Sequence, residues 1–98
     1  MIDIREAAPG DIPAISTLFD AYRQFYDMPS DPSLAQRFIS ERMTRQQSAI
    51  FVAERKLEII GFCQIYFSFC SLFAAPLCIL NDLFVTPRPA AAGPEKPC

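Results

Sequence analysis

The segment Leu80-Asn81-Asp82-Leu83-Phe84-Val85-Thr86-Pro87 decides how the chain is read. Its apolar, β-branched and aromatic residues have the composition of a strand, and Pro87 ends it, because proline lacks the N–H a strand needs. Asn81 and Asp82 interrupt that apolar run. Burying them is costly unless they are hydrogen-bonded or line a cleft.

Working back toward the N-terminus, the strand extends to Leu77. Strict alternation would put Leu77, Ile79, Leu83 and Val85 on one face and Cys78, Leu80 and Phe84 on the other. Glu58 to Phe69 reads as a longer strand and Ala49 to Ala53 as its antiparallel partner across a tight turn at Arg55 to Leu57, while Cys70 to Ala75 forms the next turn. Ile59 to Leu80 carries no charged residue and is long enough to span a bilayer. Gly61, Gln64, Ser68, Ser71 and Pro76 break it up, and its Ile, Phe and Tyr content favours two buried strands over a membrane helix.

Further upstream the period changes from two to 3.6. Ile12, Ile15, Leu18, Phe19, Tyr22, Phe25 and Tyr26 recur at helical spacing after Asp11, whose carboxylate suits open helix N–H groups, and Asp27-Met28-Pro29 ends the helix. Asp31-Pro32 starts a second helix, faced by Leu34, Phe38 and Met43, which runs to about Arg45. Residues 2 to 7 alternate as a first strand. The predicted order is β-α-α-β-β-β, an α+β half-domain with a largely antiparallel sheet and two helices.

Composition narrows the chemistry. Half of the 98 residues are apolar and a fifth are charged, which is globular usage. The net charge is −2 and the cations are dispersed, which argues against a nucleic-acid partner. Histidine is absent, excluding Ser-His-Asp and Cys-His mechanisms and His-containing metal sites. Cys63, Cys70, Cys78 and Cys98 form no C-x-x-C pair and are expected to be buried free thiols rather than metal ligands. No secretory signal is evident at Met1-Ile2-Asp3-Ile4-Arg5-Glu6, so a cytoplasmic location is expected.

Three pieces, in this order, resemble the GNAT N-acetyltransferase superfamily: Ile4-Arg5-Glu6-Ala7 through Asp11-Ile12-Pro13-Ala14-Ile15, the hairpin Ile50-Phe51-Val52-Ala53-Glu54 with Ile60-Gly61-Phe62, and Leu80 to Pro87 as the fourth strand. The resemblance covers residues 2 to 87. It implies transfer of an acetyl group from acetyl-coenzyme A to a small-molecule or protein amine, without a metal. It would place the pantetheine arm along Leu83, Phe84 and Val85, and the acceptor amine near Tyr22, Tyr26 and Asn81. In polyamine-acetylating relatives the pair at positions 81 and 82 looks like Glu-Asp. Here the first member is Asn, which leaves Asp82 as the candidate base. An Asp held by backbone N–H groups at a bulge is the competing reading.

The resemblance stops after Pro87. The family's Arg-x-x-Gly-x-Gly loop, whose N–H groups hold a pyrophosphate, is replaced by Arg88-Pro89-Ala90-Ala91-Ala92-Gly93-Pro94. Residues 1–86 are therefore expected to be the N-terminal part of such a domain, and 87–98 a Pro/Ala-rich disordered tail. Synonymous codons from Pro89 onward permit a shifted frame reading Arg-Arg-Arg-Gly-Ala-Gly-Lys-Ala-Leu, the missing loop; the coding DNA tests that origin, and codons giving no Gly-x-Gly would end it. Weak acetyl-coenzyme A binding and an exposed strand edge suited to homodimerisation follow as expectations.

Overall fold

The computed structural model describes residues 1–86; the expected tail and the loop substitution lie outside the described residues. Its elements are β1 (Asp3–Glu6), α1 (Ile12–Phe25), α2 (Pro32–Thr44), β2 (Ser48–Arg55), β3 (Glu58–Cys70) and β4 (Ala75–Val85), with a 3-10 turn at Pro9–Asp11 before α1. Among the described residues the strands form one antiparallel sheet in the order β1-β2-β3-β4, which leaves β4 at an edge. No described helix is long and apolar enough to cross a membrane, and the charge-free run is β3, a turn and most of β4.

The helices cover one sheet face. Ile15, Leu18 and Phe19 of α1 and Ala35 and Ile39 of α2 pack on Ile50, Val52 and Phe62 of the sheet to make the core. The apolar period of α1 drives this packing, because that stripe must leave water together with the matching sheet face. Leu34 N–H donates to the Asp31 carboxylate at 3.1 Å, capping α2 as its sequence suggests, with Pro32 at the first helical position.

Asp11 behaves differently from expectation. It sits within the 3-10 turn in helical conformation, so its carboxylate turns back to accept from Ala8 N–H at 2.7 Å and from the Arg5 guanidinium at 2.7 and 3.0 Å. It fastens β1 to the turn before α1 instead of capping α1. A further tie is Asp20, buried in α1, which accepts from Ser30 Oγ and Asp31 N–H, both at 2.7 Å. Those bonds hold its carboxyl below the usual carboxylate range and pin the start of α2 to α1.

The faces of β4 also depart from strict alternation. Gln64 pairs with Asp82 but Ile65 pairs with Leu80, so Asn81 is an extra residue without a cross-strand partner. This β-bulge inverts the alternation that precedes it. Leu77 and Ile79, opposite Ser68 and Tyr66, share the helix-side face with Asp82 and Phe84, whereas Cys78 and Leu80 share the opposite face with Leu83 and Val85. Cys78 is exposed and Cys63 and Cys70 are half-buried; all three are free thiols, so the expectation of burial fails for Cys78.

Candidate active site

The bulge turns Asp82 under α1, where it is 5% exposed although its neighbours Leu80, Asn81 and Leu83 lie at the surface. A buried carboxylate needs donors, and β3 supplies one. Gln64, fully buried directly opposite, donates from Nε2 to Asp82 Oδ2 at 2.7 Å. Its Oε1 accepts from the Ser48 hydroxyl, also at 2.7 Å, which fixes the orientation of the amide. The chain Ser48–Gln64–Asp82 thus crosses three strands, β2 to β4.

Helix α1 closes the other side. Burial first, and then the nearby Asp82 carboxylate, pushes the Tyr22 phenol up to about 12. Its ring lies edge-on to Tyr26, Phe62 and Phe84 at centroid distances of 5.3, 6.0 and 6.1 Å. Tyr66, next along β3, is also raised, chiefly by burial and secondarily by the Asp82 charge. The cluster therefore holds one carboxylate, one amide and two phenols beside the edge strand.

Of the residues singled out from the sequence, Asp82 and Tyr22 come close enough for the Asp82 charge to act on the phenol, and Tyr26 lies exposed at the rim against Tyr22. Asn81 occupies the bulge and is exposed, outside the buried cluster. Thr86 N–H donates to Ile60 O at 2.8 Å, so alternation along β4 turns the Phe84 backbone toward β3 and those of Leu83 and Val85 toward the open edge. Sequence reading missed Gln64, Ser48 and Tyr66. The signal for Gln64 was available: it is a polar residue in an apolar strand, which is the argument that singled out Asp82.

No protein-family model matches the chain. An uncharacterized N-acetyltransferase of Bacillus subtilis is 41% identical over 92 residues, a match covering 94% of this chain and 62% of that protein. The crystal structure of a probable acetyltransferase superposes with a TM-score of 0.79 at 38% identity, over 85% of this chain and 56% of the other. A GNAT family acetyltransferase of Staphylococcus aureus shares the fold at a TM-score of 0.70 and 11% identity, over 86% and 62% of the two chains. The chain shares the GNAT acetyltransferase fold and is similar in sequence to N-acetyltransferases. It carries the N-terminal part of that fold, and it spans 62% and 56% of the first two proteins named. A predicted acetyltransferase of Clostridium acetobutylicum, solved with acetyl-CoA, shares the fold at a TM-score of 0.68 and 18% identity, over 89% of this chain and 61% of that one. The Asp82 cluster and the open edge of β4 thus both lie within the matched GNAT region.

Proposed function

We propose that this chain provides the acceptor side of an acetyl-CoA-dependent N-acetyltransferase. The observation that carries the reading is the bulge at Asn81, which directs a buried carboxylate toward α1 at the same point where the sheet ends in an unpaired edge. Asp82 takes the proton of the acceptor ammonium, directly or through one water, so that the neutral amine attacks the thioester carbonyl. Gln64 donates to one carboxylate oxygen and Tyr22 lies on the α1 side. Tyr26 and Asn81 border the approach. The outward N–H and C=O groups of Leu83 and Val85 pair with the amides of the pantetheine arm as a further strand would. Acetyl-CoA, present with the Clostridium acetobutylicum neighbour, is the co-substrate by the same reading. No metal enters this scheme.

Arg88 to Cys98 contain no Gly-x-Gly to donate to a pyrophosphate, so by this reading residues 1–98 alone bind acetyl-CoA weakly and turn over no amine. The test is calorimetry with acetyl-CoA and an amine-acetylation assay. Both are run on this chain and on a chimera joining residues 1–86 to all of the Bacillus subtilis relative's chain that follows its counterpart of Thr86. Binding and turnover in the chimera alone support the reading; micromolar binding by the unmodified chain, or an inert but folded chimera, contradicts it.

A second reading rests on a separate observation. Away from the helices, Leu80, Leu83 and Val85 are each about 60% exposed beside the free edge of β4, with Phe67 and Phe69 exposed nearby on the same face. Such an edge and face favour self-association of the chain as a non-catalytic half-domain. Sedimentation equilibrium distinguishes a defined dimer from a monomer.

A further inference from the structure

The proposed acceptor site extends beyond Asp82 along the β3–β4 hairpin, and that extension carries information about the amine. Because of the bulge, Ile79 and Leu77 follow Asp82 on the helix-side face, opposite Tyr66 and Ser68. Each step of two residues along the strand advances about 6.6 Å, so a substituent on an amine held at Asp82 passes over Tyr66 and Ile79 first and Leu77 next. The side chains of this track are accessible, Ile79 being 43% and Leu77 42% exposed, whereas Asp82 is buried at its inner end.

The charge pattern is equally asymmetric. From Ile59 to Val85 the sequence contains one charged residue, Asp82. A cation does reach the track: Arg42 acts on Tyr66 from α2, stacks on the Phe38 ring at 4.4 Å and pairs with Glu41. A second ammonium group over Tyr66 and Ile79 would give up part of its water, find no carboxylate between Ile59 and Val85 other than Asp82, and be repelled by the Arg42 charge that reaches Tyr66. An alkyl or aryl substituent would instead cover apolar surface.

We infer that the acceptor is a monocationic primary amine whose nitrogen is followed by an apolar chain or ring, and that polyamines are disfavoured. This rests on the reading of Asp82 as the amine's partner.

The chain offers an internal reporter, since it has no tryptophan and its three tyrosines, Tyr22, Tyr26 and Tyr66, all flank this track. Tyrosine fluorescence of the full chain is titrated with hexylamine, 1,6-diaminohexane and methylamine. Hexylamine is expected to bind at least tenfold tighter than either, because the diamine adds the unmatched charge and methylamine lacks the chain. Ile79→Asp, at an exposed position, supplies the missing counter-charge and is expected to reverse the order in favour of the diamine. Leu77→Asp serves the same purpose if circular dichroism shows Ile79→Asp unfolded. A diamine that binds the unmodified chain as tightly as hexylamine, or an order unchanged by both variants, overturns the inference while leaving Asp82 in place. Asp82→Asn separates the two claims: hexylamine affinity is expected to fall at least tenfold. A preference for hexylamine that survives this change without loss sinks the role of Asp82 and with it the inference. No saturable binding by any of the three amines overturns both.

Discussion

Gln64→Leu breaks the buried chain at its centre without opening a large cavity, since leucine fills a similar space. Ser48 is half-buried and can turn to water, so its lost acceptor costs little. Asp82 is 5% exposed and loses the donor that held Oδ2 at 2.7 Å. An unsatisfied buried group costs about 1–3 kcal/mol and a charged one more, which puts the loss at about 2–3 kcal/mol. Asp82→Leu alone strands the Gln64 amide for about 1–2 kcal/mol, by the same reasoning. The double variant leaves neither partner behind and is expected to lose about 1–2 kcal/mol in all, well short of the sum, so the coupling is about 2 kcal/mol. Urea unfolding of all four proteins measures it, with equal denaturant slopes as the check on comparability. Recovery of a folded circular-dichroism signal in the double variant would carry the same meaning if a single variant is unfolded. Additive losses would refute the claim that Gln64 and Asp82 depend on one another.

Other expectations follow from the same geometry. Asp82→Asn should lower the Tyr22 titration below about 12 yet leave it above the ordinary tyrosine value near 10, because burial is the larger cause; tyrosinate absorbance against pH reads this. In the unaltered protein the stability held by neutral Tyr22 is fully present below pH ~10 and is lost as pH rises through about 12, which alkaline unfolding curves should show. Gly61→Ala places a Cβ 3.0 Å from Phe84 O and 3.2 Å from a Val85 methyl, so a strand backbone must shift and the chain should lose about 1–3 kcal/mol in urea unfolding. Lys56 and Leu57, both at positive φ in the two-residue β2–β3 turn, should be improved by the pair Lys56→Asn and Leu57→Gly, raising stability by about 1 kcal/mol or more.

Periodicity made the element order legible, because each change from period two to 3.6 marks where burial switches from a sheet face to a helix stripe. Asp31-Pro32 signalled the start of α2 through a local hydrogen bond. Asp11 misled for the complementary reason: its partner Arg5 lies on the preceding strand, a contact that local capping rules do not contain. A bulge at Asp82 was one reading of the sequence, but its effect on the strand's faces was hidden in the same way. One unpaired residue at Asn81 exchanges the faces of Leu77 and Ile79, and nothing in an apolar strand announces where its register slips. Asp82 stood out as a polar residue amid apolar ones, but its partners Gln64 and Ser48 come from other strands and became visible once the register was known.

The claim that Asp82 receives the acceptor's proton is tested most directly in the chimera that completes the domain, by single-turnover acetyl transfer at neutral pH with and without Asp82→Asn. The substitution keeps the side-chain shape and removes the base, so the transfer rate is expected to fall about 100-fold or more while acetyl-CoA affinity stays the same. An unchanged transfer rate in the folded variant would contradict the account and reduce Asp82 to a structural partner of Gln64 and Tyr22.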